Sequence, residues 1–236
     1  NAFDELVLFG TTGSNDFPVT PTAFDTTFHG GTPLFYESDG INFPNGSDIF
    51  VSRFSADGSQ LQASTYVGGS ANDGLNFRHD FNNLMTTAPT YIDYMAGYKT
   101  LMFGNDSLYY NYGDGARGET IVDDQNNVYV GSTTFSTDFP TTDGGVQPAS
   151  AGGQEGIVFK LDYNLSNMIW STYLGGSKDD AVYSIEVDED YNLLTCGGPE
   201  SADFPTTANA YKSTYAGGAT DGFVCKLSYH GDQLMA

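Results

Sequence analysis

The tripeptide Asp-Phe-Pro occurs three times in the chain and marks an internal repeat. Its copies lie at residues 16–18, 138–140 and 203–205. A short apolar run with one basic residue follows each copy, at residues 50–54, 157–161 and 223–227. A third marker, Ser-Thr-Tyr-(Val/Leu)-Gly-Gly-Ser, begins at Ser64 and again at Ser171. Because three independent markers keep the same order, tandem copies of one structural unit best explain the chain.

The spacings between the markers define the length of the unit. The second and third tags are 65 residues apart and the first two are 122 apart, whereas the Ser-Thr-Tyr markers are 107 apart. A unit of about 65 residues explains these spacings if 42 residues are inserted between Ser70 and Asp114, and 15 between Phe17 and Ile49. The resulting segments are a partial unit with a short insertion at 1–70, an insertion at 71–113, a complete unit at 114–177 and a unit at 178–236 that stops in its last strand. Because both ends fall inside the repeat, we expect an excerpt of a longer polypeptide.

Each unit is predicted to contain four short β-strands. Runs of β-branched and aromatic residues alternate with clusters of Gly, Asn and Asp, and no stretch has a convincing helical periodicity. The predicted strands include residues 127–134 and 156–162 of the complete unit, and about 183–187, 193–196, 222–227 and from 233 onward in the last unit. Four antiparallel strands in tandem repetition are typical of propeller blades. The predicted fold is therefore all-β, a β-propeller of four-stranded blades of which this chain holds about three.

The repeated motifs also predict how neighbouring blades meet. Proline after phenylalanine in the tag keeps the chain extended, and we expect that phenylalanine to pack between adjacent blades. Gly175 and Gly176 are expected to supply a positive φ where the chain turns to the next blade. The pairs Asn72-Asp73 and Asp179-Asp180 follow such turns and are expected to accept hydrogen bonds from turn amides.

The charge of the chain limits its partners. Thirty acidic and eight basic residues give a formal net charge of −22, which repels phosphate backbones and anionic lipid. No basic patch interrupts this charge, and no apolar run reaches transmembrane length, so we expect neither nucleic-acid binding nor membrane insertion. Aromatic residues make up 14% of the chain, which is ample for a folded core.

The two cysteines are too few for a disulfide framework. Cys196 and Cys225 each lie in a strand-like run. A buried free thiol is the main expectation at both positions, and a cross-strand disulfide is the alternative.

These motifs together resemble the SBBP-type bacterial β-propeller repeat. The resemblance covers nearly the whole chain outside the insertions, although residues 193–205 depart from the strand that the family prefers. Residues 111–124 look like parts of large surface proteins of Bacteroidota, in which such propellers precede a gliding-motility-associated sorting domain. The resemblance implies export by the type IX secretion system of the outer membrane, an extracellular or cell-surface location and a role in gliding or attachment. It supplies no shared catalytic residues.

The long insertion is the most distinctive part of the chain. It contains seven aromatic residues that are candidates for contact with a partner: Tyr91, Tyr94, Tyr98, Phe103, Tyr109, Tyr110 and Tyr112. Aromatic side chains beside polar residues suit stacking on carbohydrate or a protein interface. The alternative, favoured for most of them, is that they pack a hairpin onto the propeller. Since function in such folds usually resides in loops on a rigid scaffold, we predict the contact surface here.

Residues 188–192 could bind calcium or form a tight turn. Asp188, Asp190 and Asn192 alternate, which can bring three oxygen ligands to one Ca²⁺. The segment lacks the central glycine and the terminal glutamate of an EF-hand, and such clusters are common in β-turns. The turn is the favoured interpretation, with no cofactor.

Catalytic motifs find little support in the sequence. His29, His79 and His230 lie in dissimilar contexts, without metal spacing, and no Gly-x-Ser-x-Gly elbow is present. The favoured function is a non-enzymatic scaffold or adhesive module with protein or glycan partners at the cell surface. The first alternative is a polysaccharide hydrolase or lyase acting at a propeller channel, and the second is a passive spacer.

Overall fold

The structure, a computed structural model, describes residues 1–36, 41–76, 118–218 and 220–236. These residues form twelve β-strands and no helix, so the all-β class is confirmed. The strands are β1 (Leu6–Thr12), β2 (Leu34–Tyr36), β3 (Ile41–Phe43), β4 (Asp48–Phe54), β5 (Leu61–Val67), β6 (Glu119–Val122), β7 (Val128–Thr134), β8 (Glu155–Leu161), β9 (Met168–Leu174), β10 (Asp180–Val187), β11 (Leu193–Pro199) and β12 (Phe223–Leu227). Within the ranges given, no helix is long and apolar enough to cross a membrane.

Antiparallel pairing gathers the strands into three sheets that follow the order of the chain. Sheet 1 has the order β1-β4-β5, sheet 2 the order β6-β7-β8-β9 and sheet 3 the order β10-β11-β12, while β2 and β3 form a separate hairpin in the short insertion. Sheet 2 is a complete four-stranded unit, as the repeat predicts. In sheet 3, Leu234 forms a bridge with Leu227 where the fourth strand is predicted to begin.

The three sheets stack face to face, with an apolar layer at each contact. Alternate residues of β7 point to opposite faces of sheet 2. Val128 and Val130 join the layer shared with Val51 of sheet 1, whereas Tyr129 joins the layer shared with Leu193 of sheet 3. Every residue of β7 and β8 is buried because sheet 2 is covered on both faces. The tag residue Phe139 belongs to the layer between sheets 1 and 2, as predicted for the tag phenylalanine.

The long insertion enters the first strand of sheet 2. Asp73 forms a bridge with Thr134, and pairing resumes where Glu119 lies opposite Gly131. Forty-five residues, 74–118, separate these two pairs, whereas three residues, 181–183, separate the equivalent pairs in β10. The difference equals the 42 residues that the repeat spacing predicts, and the insertion lies at the position where β10 has a β-bulge.

Candidate functional site

The seven candidate contact residues lie outside the described part of the chain. They are Tyr91, Tyr94, Tyr98, Phe103, Tyr109, Tyr110 and Tyr112. Their role in partner binding therefore stays a prediction.

The candidate calcium segment is a hydrogen-bonded β-turn. Asp188 Oδ1 accepts the backbone amides of Asp190 and Asn192, each at 2.9 Å. Asp188 Oδ2 lies 2.5 Å from Nζ of Lys226, and this lysine lowers the pKa of Asp188 to about 2. Both carboxylate oxygens are thus engaged by the protein itself. The described residues contain no group of three or more His, Cys, Asp or Glu side chains placed to hold a metal ion.

The two described histidines lie in different surroundings, whereas the two cysteines lie on the paired strands β11 and β12. His29 Nε2 is 2.8 Å from Asp25 Oδ2, and the His230 ring lies 4.8 Å from the ring of the adjacent tyrosine, whereas His79 is outside the described residues. Cys196 and Cys225 are free thiols, but only Cys225 is buried, so the expected burial is wrong for Cys196. Burial raises the pKa of Cys225 to about 12, so this thiol stays protonated and unreactive at neutral pH.

Two buried carboxyls lie at the connection between sheets 2 and 3. Asp180 accepts hydrogen bonds from the Gly176 amide and the Ser201 hydroxyl, both at 2.6 Å. Glu155 Oε1 accepts the amide of Gly152 at 2.7 Å, while its Oε2 has no hydrogen-bond partner among the described residues. Burial raises the pKa of Asp180 and raises that of Glu155 to about 7. Both carboxyls therefore lose their proton at a higher pH than exposed carboxyls do.

The connection between sheets 1 and 2 repeats this arrangement. Asp73 accepts the Gly69 amide at 2.8 Å, and Asp48 accepts the amides of His29 and Gly30 at 2.7 and 2.8 Å. Burial raises the pKa of both carboxyls, and that of Asp73 strongly. The prediction that the aspartates after the turns accept turn amides is thus confirmed at Asp73, as it is in the next connection.

The positive φ predicted for the glycines of the turn between sheets 2 and 3 is wrong. Gly175 and Gly176 are not among the residues with positive φ. Instead, a Cβ on Gly175 would collide with Glu155 Oε2 and lie 2.7 Å from Asp180 Oδ2. Glycine is required here because two carboxyls approach the backbone closely.

Gly175→Ala should therefore lower the free energy of unfolding by roughly 1–3 kcal/mol, because the buried carboxyls must move to admit the methyl group. Urea unfolding of both proteins measures the difference. Gly222→Ala is the matched control, since a Cβ there meets no atom within 4 Å. The control should change stability by less than about 0.5 kcal/mol. Equal losses in the two variants would contradict the close-approach explanation.

Each contact between sheets also holds a basic side chain against a tyrosine of the following sheet. The Arg53 guanidinium lies 3.8 Å from the centroid of the Tyr163 ring. Lys160 is fully buried, with Nζ 4.2 Å from the Tyr229 ring centroid and 3.3 Å from Asp123 Oδ2. Cation–π attraction is strong in such desolvated places. This contact was not predicted, and its sequence signal is a tyrosine two residues after the Lys-Leu pair of β8 and again after that of β12.

A groove of about 500 Å³ lies beside β12, between that strand and the loop after the third tag. Its lining includes Phe204, Thr207, Lys212, Phe223 and Val224. The rings of Phe204 and Phe223 stack with centroids 4.3 Å apart, and Val224 is 77% exposed. In sheets 1 and 2 the fourth strand of the unit occupies the equivalent place, beside β4 and β8.

No protein-family model matches this chain, and no curated protein matches it either.

Proposed function

We propose that the chain is part of a β-propeller that serves as a scaffold or adhesive module of a larger secreted or cell-surface protein. The observation that carries the proposal is the stacking of three sheets of one repeat in chain order, joined by the same carboxyl and tyrosine contacts. Radial repetition of such sheets produces a propeller. A scaffold of this kind presents loops in fixed positions, where binding functions usually lie.

The outer faces of the stack support the presence of further blades. Leu6 and Leu8 of sheet 1 are 52% and 39% exposed, whereas their repeat equivalents in sheet 2, Val128 and Val130, are fully buried. On the other side, Val224 of sheet 3 corresponds to a buried valine of β8. In repeat proteins each unit buries its apolar faces against its neighbours. Further units on both sides would cover these residues.

The proposed partners are a protein or glycan at the cell surface and the outer-membrane secretion machinery. The resemblance to the SBBP-type repeat of Bacteroidota supports export by the type IX system, and the net charge of −22 disfavours nucleic acid. The seven aromatic residues of the long insertion are the proposed contact surface. The proposed role is attachment or gliding, by contact of several loops with an extended partner.

The hydrolase or lyase alternative gains no specific support from the buried carboxyls. Glu155 has the raised pKa that is typical of a general acid. However, Glu155 and Asp180 are 1% and 0% exposed and accept the backbone amides of their own turns. A sugar ring could not reach them without unfolding these turns.

Two measurements on the producing bacterium test the proposal. Electron microscopy of the purified native protein should show a ring of radially arranged sheets, and an open stack would contradict the propeller. Antibody labelling of intact cells should stain the surface, or the antigen should appear in the medium. Antigen confined to the cytoplasm would overturn the secreted scaffold.

A further inference from the structure

The connection between sheets 2 and 3 brings two buried carboxyls to one place. Glu155 is the first residue of β8, and Asp180 is the first residue of β10. Their exposed fractions are 1% and 0%. A Cβ on Gly175 would collide with Glu155 Oε2 and lie 2.7 Å from Asp180 Oδ2, so these two oxygens point into the same space beside the glycine. The two sheets therefore meet through a pair of enclosed carboxyls.

Hydrogen-bond donors of the turns reach three of the four carboxyl oxygens. Glu155 Oε1 accepts two amides of its own turn, including that of Gly152 at 2.7 Å. Asp180 Oδ2 accepts the Gly176 amide and the Ser201 hydroxyl, and its Oδ1 accepts the Ser201 amide at 3.3 Å. Glu155 Oε2 is buried and has no hydrogen-bond partner among the described residues. A buried acceptor without a donor is costly, and a second carboxylate beside it adds repulsion between like charges.

A proton on Glu155 Oε2 removes both costs. The protonated oxygen becomes a hydrogen-bond donor, and the Asp180 carboxylate beside it is an acceptor. Only one negative charge then remains in the enclosed space. Burial, together with the charge of Asp180, raises the pKa of Glu155 to about 7, so Glu155 changes its charge near neutral pH.

The groups around the pair do not neutralise a second charge. The titratable side chains near it are Tyr173 on β9, Lys178 and Asp179 on the turn before β10, Glu200 after β11, Tyr215 before β12 and Asp73 opposite the end of β7. Burial raises the pKa of Tyr173 to about 12, so this tyrosine is neutral, and the single lysine is exposed. Among the described residues, no basic side chain forms an ion pair with either carboxyl.

The connection between sheets 1 and 2 has a carboxyl pair without this unbonded oxygen. Asp48 occupies the position of Glu155, and its two oxygens accept the amides of His29 and Gly30. Asp73, the second member of the pair, also has a donor at each oxygen. The side chain of Glu155 is one methylene longer, and its second oxygen turns away from the turn amides toward the partner carboxyl. A bond between the two carboxyls is therefore specific to sheets 2 and 3 in the part of the chain that the structure describes.

We propose that Glu155 and Asp180 share one proton and form a pH-sensitive latch between sheets 2 and 3. In the closed latch, Oε2 of protonated Glu155 donates to the Asp180 carboxylate and holds the start of β8 against the start of β10. When the proton passes to water, two negative charges occupy one enclosed space, and the turns at residues 150–154 and 176–179 open to hydrate them. The latch acts between two sheets of the folded chain, so it does not depend on the proposed scaffold function.

Amide hydrogen exchange of the complete 236-residue chain tests the opening. The protection factors of the Gly152 and Gly176 amides should fall about tenfold between pH 6 and pH 8, because Glu155 loses its proton in this range. Glu155→Gln should keep both amides protected at pH 8, since the glutamine amide can donate to Asp180 without adding a charge. Constant protection in the wild type, or an equal fall in the variant, would overturn the latch.

Carboxyl carbon-13 NMR tests whether the two groups share one proton. The signals of Glu155 and Asp180 should move together with a common midpoint near pH 7, because strongly interacting sites titrate as a pair. Asp180→Asn should lower the Glu155 midpoint by about one pH unit or more, because the neighbouring negative charge is gone. Two separate midpoints in the wild type would contradict the shared proton, and this result does not require the variant to fold.

Calcium distinguishes a proton from a metal ion between the two carboxyls. At pH 8, about 10 mM calcium chloride should not restore the protection of the Gly152 and Gly176 amides, relative to sodium chloride of equal ionic strength. Restored protection that Glu155→Gln abolishes would assign the pair to a bound cation and overturn the latch.

Discussion

Lys160→Met is expected to lower the free energy of unfolding by about 3–5 kcal/mol, because it leaves Asp123 as an unpaired buried charge. Lys160 and Asp123 have side chains only 1% exposed, with Nζ 3.3 Å from the carboxylate. Methionine keeps most of the apolar volume of the lysine stem, so lost packing contributes little. Equilibrium unfolding in urea measures the change, and the single tryptophan, Trp170, reports it from the layer between sheets 2 and 3.

Lys226→Met is the matched control, because Lys226 occupies the same position of the repeat in β12. Its side chain is 29% exposed, and its ion pair with Asp188 lies at the edge of sheet 3. Exposed ion pairs contribute little because water and salt screen them. The control should therefore lose much less stability than the Lys160 variant. Equal losses would show that burial against the Tyr229 ring adds nothing to the contribution of the lysine at this position.

The sequence predicts the sheets more completely than it predicts the contacts between them. Runs such as residues 127–134 contain β-branched residues and are flanked by polar turn residues. The strand β7 occupies Val128–Thr134, as expected from this pattern. The unit length follows from marker spacing alone and agrees with the register of sheets 2 and 3. The β-branched runs and turn residues are local signals, which a sequence contains in full.

Contacts between sheets depend on which faces meet, and a sequence does not show this directly. Tyr163 and Tyr229 look like ordinary turn residues, yet each reaches a basic side chain of the preceding sheet. Gly175 was expected to serve backbone conformation, but the approach of Glu155 from another strand requires it.

The stability of the chain is expected to fall by about 2 kcal/mol between pH 5 and pH 8. Burial raises the pKa of Glu155 from 4.5 to about 7, and it also raises the pKa values of Asp48, Asp73 and Asp180. A carboxyl whose pKa is higher in the folded state stabilises the fold fully below its unfolded pKa. For Glu155 this contribution is lost as the pH rises from about 4.5 through about 7. Carboxyls with lowered pKa values, such as Asp57 at about 2, are ionised throughout this range and do not oppose the trend.

Glu155→Gln separates the effect of this carboxyl from the decrease in total negative charge at lower pH. The glutamine oxygen can still accept the Gly152 amide, and its amino group can donate toward Asp180 without adding a second charge. The variant should match the wild type near pH 5, exceed its stability at pH 8 and show a flatter profile. Glu189→Gln, a change at an exposed glutamate, should keep the wild-type slope. Urea unfolding at both pH values measures all three proteins. A wild-type stability that rises between pH 5 and pH 8 would mean that the carboxyls at the sheet connections are ionised in the folded state, and that their turn amides suffice to hold both charges.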